Sequence, residues 1–190
     1  FCCGGARPLE EVCGDALEEV LEELRALNSI PPEEDWLQRP ICELIDHILK
    51  RFHEKHRRDL PELIALALRV EEVHRHHEKC PKGLVLKLQN MSASMADHMA
   101  KEEQVLFPAI EQSADPAWLM NPICVMREEH EDLGRDLRDL QTITHHFALP
   151  EEACITWRAL YKGIQELMDD LMEHVSLENN VLFPRVLCTT

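Results

Sequence analysis

Aromatic side chains are scarce in this 190-residue chain, at 5%. With long Leu/Glu/Arg-rich segments in their place, a sheet protein is disfavoured and an all-α fold expected. Positive charge is short too. A net charge of −16 leaves no basic face for a phosphate backbone, which argues against a nucleic-acid partner. No apolar run approaches the roughly 18 residues of a membrane span, and no signal-peptide pattern stands at the start. The first residue is Phe1 rather than Met, so some preceding sequence is expected to be missing. The cysteines, at positions 2, 3, 13, 42, 80, 124, 154 and 188, follow no small-scaffold disulfide spacing. They read as reduced, partly buried thiols of a cytoplasmic protein.

What the chain does have is one phrase written twice. His98-Met99-Ala100-Lys101-Glu102, ending in Val105-Leu106-Phe107-Pro108, recurs 76 residues later as His174-Val175-Ser176-Leu177-Glu178, ending in Val181-Leu182-Phe183-Pro184. A fainter phrase, His53-Glu54 then Arg58-Asp59-Leu60, recurs 77 residues on as His130-Glu131 then Arg135-Asp136-Leu137. The chain therefore carries two copies of one helical pair. On a helix, His and Glu four residues apart share a face. At about 100° per residue, His98 and Glu102 fall inside the stripe of Leu88, Met91, Met95 and Leu106. His174 and Glu178 fall likewise inside that of Leu167, Leu171 and Leu182. Carboxylates and imidazoles aimed at a bundle core cost several kcal/mol unless paired or bound to a metal.

Residues 1–29 read as a small helical domain opening on Cys2-Cys3-Gly4-Gly5. A short helix is expected from near Pro8, then a second capped by Asp15 with Glu18 three residues on and Asn28 as its stop. Residues 30–40, with Pro31, Pro32 and Pro40 and an acidic cluster, read as an ordered non-helical linker. Residues 41–190 hold four long helical stretches, about 41–77 with a kink or break at Pro61, from after Gly83 to past Pro108, about 117–146, and from Pro150 towards Leu187. Short connections make them antiparallel, an up-down-up-down four-helix bundle.

His130 lies on the stripe of Met126, Leu133 and Leu137. In the first helix His56 projects as near the core as His53, and periodicity does not choose between them. The repeat does, since His53 aligns with His130 whereas His56 aligns with Leu133. Glu71 and His74 have the Glu-x-x-His spacing of di-iron bundles but no second copy. A zinc cluster of His74, His76, His77 and Cys80 is weaker than a solvated helix end. Glu103, Glu129 and Glu173 are expected behind the site or in solvent. The candidate metal ligands are His53, His98, Glu102, His130, His174 and Glu178. Six mixed ligands are too many for structural zinc and too nitrogen-rich for calcium or magnesium. They suit two borderline metals sharing carboxylates, iron first and manganese second.

On these paired His-x-x-x-Glu motifs and partner histidines, the bundle resembles the hemerythrin-like four-helix domain. With Cys2-Cys3-Gly4-Gly5 in front, nearly the whole chain resembles the iron–sulfur cluster repair di-iron proteins. The resemblance implies two non-haem irons, ligated by the four histidines, oxo-bridged and bridged by Glu102 and Glu178. It implies a cytoplasmic stress protein that restores iron–sulfur clusters damaged by nitric oxide or peroxide, by iron donation to a damaged protein or cluster scaffold. Cys2 and Cys3 are then redox residues that capture nitric oxide, accept iron or pass electrons. Nitric oxide reduction at the site, or sensing of oxygen or nitric oxide, are the alternatives, in a monomer or homodimer. Oxygen-carrying hemerythrins have a His-x-x-x-His pair on the third helix. Here Gly134 and Met126 flank His130, against reversible oxygen carriage.

Overall fold

The computed structural model describes residues 8–28 and 36–188; Cys2 and Cys3 lie outside them. Among the described residues every regular element is helical, as the aromatic-poor composition implied. After Pro8, α1 (Leu9–Cys13) ends at Gly14, whose φ of +50° an L side chain would resist. A 3-10 turn, Gly14–Ala16, leads to α2 (Leu17–Asn28). Asp15 therefore sits within the tight turn rather than at a helix cap.

Four long helices follow. α3 covers 41–73, as Ile41–His47, a π-turn Ile48–His53, and Glu54–Val73. α4 covers 84–111, as Leu84–Lys101, a π-turn Glu102–Leu106, and Phe107–Glu111. α5 is Pro116–Ile143, unbroken, with the Asp115 side chain accepting from the Ala117 N–H at 2.8 Å. α6 covers 155–187, as Ile155–Leu177, a π-turn Glu178–Leu182, and Phe183–Leu187. Each packs on its two neighbours in a closed ring α3-α4-α5-α6. Arg51 and Lys55 of α3 meet Asp170 of α6, while Leu63 lies beside Gly163, so α3 and α6 are antiparallel.

Some boundaries differ from the sequence reading. Pro61 does not interrupt α3. Pro61 and Arg57 are both exposed, so the Arg57 carbonyl freed by the missing N–H faces water, while buried Leu60 and Leu63 hold the helix to the core. α3 stops at Val73, and α5 at Ile143, where the Thr144 hydroxyl turns back to the Leu140 carbonyl at 2.7 Å. α6 starts at Ile155, because residues 150–153 form a turn closed by the Ala153 N–H on the Pro150 carbonyl. The end of the expected linker is fastened to the bundle. Arg185 donates to the carbonyls of Trp36 and Arg39 at 2.6 and 2.7 Å, and Trp36 packs on His47.

The core has two apolar clusters. One gathers Leu60, Leu63, Met91, Met95, Leu137, Trp157 and Leu171; the other gathers Leu44, Ile48, Leu106, Phe107, Met126, Leu182 and Phe183. By position along every helix, the polar residues of interest fall between them.

Candidate metal centre

The repeated phrase is a local code for aiming a carboxylate. In α4 and α6 the π-turn begins at Glu102 and at Glu178, and its extra residue swings the chain there. Each turn gives way to α-helix with Pro108 or Pro184 in the first positions, where the missing N–H needs no acceptor. The phenylalanines before those prolines cover the histidines opposite. Phe107 stacks on His53 and Phe183 on His130, at 5.9 and 6.0 Å between ring centroids.

All six candidate ligands are buried, with His53, Glu102 and Glu178 at 0% exposure. Each histidine turns Nε2 towards a carboxylate. His53 Nε2 lies 3.3 Å from Glu102 Oε2 and His98 Nε2 lies 3.5 Å from the same oxygen. Nε2 of His130 and of His174 lies 3.0 Å from Glu178 Oε2 and Oε1, respectively. Two donor sets result, His53, His174, Glu102, Glu178 and His98, His130, Glu102, Glu178, each with its ligand atoms within 4.8 Å of one another. The two carboxylates belong to both sets.

Outer ring nitrogens are fixed from behind. His53 Nδ1 meets Glu103 at 2.7 Å, His98 Nδ1 meets Glu129 at 2.8 Å and His130 Nδ1 meets Asn179 at 3.1 Å. Such contacts set tautomer and ring orientation in metal sites. Glu103 and Glu129 thus stand behind the ligands, while Glu173 is exposed. Asn179 was missed, although the repeat carried the signal: it stands to Glu178 as Glu103 stands to Glu102. Burial pushes His53 and His130 down, but Glu102 acting on the first and Glu178 on the second outweigh it and hold both above the ordinary histidine value. Burial likewise opposes ionisation of Glu178, yet His174 and His130 keep its carboxyl well below the usual range. His56 is different. It is fully buried, both ring nitrogens lack hydrogen-bond partners among the described residues, and burial drives it down to about 3.

The donor set fits a metal. Among the described residues, both oxygens of Glu102, Oε2 of Glu178 and Nε2 of His130 are buried and make no well-aligned hydrogen bond despite their closeness to one another, a costly state that a cation relieves for all of them at once. Four imidazoles and two carboxylates match iron or another borderline metal. Among the described residues no such set forms around His74. Its Nε2 is 3.2 Å from the Cys154 sulfur and its ring packs on Trp157, as does that of His77. The helix end is thus partly packed through His74 and His77 and otherwise exposed, at Val73, Arg75, His76, Glu78 and Lys79. Glu71 accepts from the Val85 N–H at 2.9 Å, serving the start of α4.

The sides of the cluster differ. His98 and His130 border a cavity of about 230 Å³ shared with Asp97, Glu129, Asp132, Leu133 and Asp136. His174 is shut in by Phe52, whose ring stacks on it at 5.1 Å and 6°, and His53 by Phe107.

Known proteins resemble this chain in sequence. The hemerythrin HHE cation-binding domain matches residues 44–186, three quarters of the chain. The iron–sulfur cluster repair protein YtfE of Citrobacter koseri is 46% identical over 190 residues, covering 98% of this chain and 86% of that protein. YtfE proteins from Escherichia coli strains O17:K52:H18 and O8 are 47% identical with the same coverage.

Proposed function

We propose a function from one premise, that this chain belongs to the hemerythrin HHE cation-binding family and, within it, to the iron–sulfur cluster repair proteins: it restores iron–sulfur clusters damaged by nitrosative or oxidative stress in the cytoplasm. The observation that carries the reading is the pair of overlapping donor sets with two carboxylates in common. His53 with His174, and His98 with His130, would each hold one iron, and Glu102 and Glu178 would bridge them. Iron held by nitrogen and carboxylate rather than thiolate supplies a redox-active ion available to a damaged cluster.

The chain's own residues do the rest. Glu103, Glu129 and Asn179 keep three imidazoles pointed inward. Phe52, Phe107 and Phe183 exclude water from the rings. The acidic cavity beside His98 and His130 gives a cation or small ligand an approach from solvent.

Iron content tests the site and repair tests the use. Protein prepared without chelators should carry close to two irons per chain, with marked loss in Glu102→Ala and in Glu178→Ala. The loaded protein should reactivate an iron–sulfur enzyme inactivated by nitric oxide, and the two variants should not. A parent holding zinc or no metal, with both variants folded, would sink the reading.

The cavity also favours a second reading, turnover of nitric oxide. Consumption over many equivalents by reduced protein would support it, and a single stoichiometric reaction would remove it.

A further inference from the structure

His56 is the buried titratable group that the metal reading leaves without a task. Its side chain is at 0% exposure, flanked by the rings of Phe52 at 6.2 Å and His174 at 5.5 Å, and neither ring nitrogen has a hydrogen-bond partner among the described residues. A neutral imidazole carries one N–H and one bare nitrogen, and leaving both unmet loses their hydration with nothing in return. A leucine fills such a space without that loss, and the repeat places Leu133 at the equivalent position on α5. The imidazole therefore awaits a partner that the described residues do not supply.

Its position says which kind. His56 lies one turn beyond His53 on α3. Glu102 and Glu178 each lie one turn beyond their histidines on α4 and α6, which run the opposite way. His56 therefore stands at the face of the cluster away from the carboxylates, on the side of the core that holds Met95 and Leu171. It belongs to neither donor set.

We propose that His56 is a positioning residue for a small ligand carried by the metal of the His53–His174 side, an anion or diatomic with a nitrogen or oxygen acceptor, to whose outer atom its ring N–H donates a hydrogen bond. The proposal rests on the metal reading above. It adds a polar contact on a face otherwise closed by apolar side chains, and it makes the two metal positions unequal in the ligands they retain.

The test uses the full chain, iron-loaded and oxidised, with azide as the probe. Iron content, azide affinity and the infrared stretch of bound azide in H2O and D2O are compared in the parent, His56→Leu and His56→Gln. Iron should stay at the parent level in both variants. Azide should bind about tenfold more weakly to His56→Leu, about 1.4 kcal/mol, and within a few-fold of the parent to His56→Gln. The azide stretch should shift in D2O in the parent and in the Gln variant but not in the Leu variant. Unchanged affinity and a D2O-insensitive stretch, with iron at parent level, would overturn the role of His56 and leave the metal site standing. Loss of iron from a folded His56→Leu would also overturn it, by making His56 a ligand. A parent without iron would overturn the metal reading and this proposal together.

Discussion

On one side of the cluster, beside His53, His174 lies under Phe52 and next to His56; on the other, His98 and His130 lie beside Glu129 and Leu133. The repeat makes Phe52 equivalent to Glu129 and His56 equivalent to Leu133. One internal duplication thus keeps the ligands and exchanges what surrounds them. On the open side, Glu129 holds His98 from outside, tied in turn to Lys101 at 2.6 Å. On the closed side a phenyl ring takes that place, and the polar group sits one turn deeper, unpartnered. The ligands alone would make the two metal positions alike, so any difference in access, ligand retention or stability must come from these two exchanged positions, from the exchange of Glu103 behind His53 for Asn179 behind His130, and from their neighbours.

The largest expected effect concerns acid. His56 titrates at about 3 in the folded protein and near 6.5 once unfolded. A histidine depressed by folding gives stability that is present above its unfolded value and lost as pH falls towards the folded one. The metal-free protein should therefore lose about 1.4 kcal/mol per pH unit from this group between about 6.5 and about 3. Urea unfolding of metal-free His56→Leu should show a flatter acid limb. Leu133→His should add a weaker acid sensitivity, because the cavity beside Leu133 can hydrate a charged ring. Equal acid limbs in parent and His56→Leu would break the contrast.

Next in size is the charge network behind the closed side. Arg51 and Lys55 converge on Asp170, which is buried. Burial opposes its ionisation, but Lys55 and Arg51 hold its carboxyl below the usual value. Asp170→Ala leaves two cations crowded and should cost about 2 kcal/mol by denaturant titration, a value reduced for the partial exposure of both cations. On the open side Lys87 meets Asp136 and Asp139 nearer to solvent, so Asp136→Ala should cost under about 1 kcal/mol.

Much of this was legible in the sequence because it is periodic. Apolar stripes and short connections showed four helices, and the duplication selected His53 over His56 before any coordinates. The π-turns were not legible, since a chain that gains one hydrogen-bonded residue per turn keeps the same residue types. Only Pro108 and Pro184, which mark where α-helix resumes, betrayed two of them. The exchanged surroundings stayed hidden for a related reason. A phenylalanine and a histidine one turn apart on an apolar stripe read as ordinary core, and only their contact with His174 shows otherwise.

Helix spacing offers a smaller contrast. Gly163 on α6 faces α3, where an added Cβ would come 2.7 Å from Leu63 Cδ2, whereas one at Gly134 on α5 would meet only Arg138 Nη1, at 3.9 Å. Gly163→Ala should destabilise by about 1–2 kcal/mol, since the leucine must move within a packed seam. Gly134→Ala should stabilise by about 0.5–1 kcal/mol, the ordinary gain of alanine within a helix. Thermal melts of the two variants should shift in opposite directions. Equal shifts would mean that α3 and α6 pack no more closely than their counterparts.

The smallest effect is a fraction of a proton, and here the two sides should agree. In the metal-free cluster burial lowers His53 and His130, but Glu102 and Glu178 more than offset it, so each ring titrates above its ordinary value. A histidine raised by folding gives stability that is fully present below its unfolded value and lost as pH rises through the folded one. At the ordinary histidine value these two rings therefore still carry protons that a metal must displace, because only a neutral imidazole offers a lone pair. Adding ferrous ion anaerobically to metal-free protein in weak buffer with an indicator should release more protons at pH 6.5 than at pH 8.5. Replacing His130 by alanine should remove part of that difference, with His53 left on the closed side. Release independent of pH would mean that His53 and His130 are already neutral before the metal arrives. The carboxylates would then orient the rings without charging them.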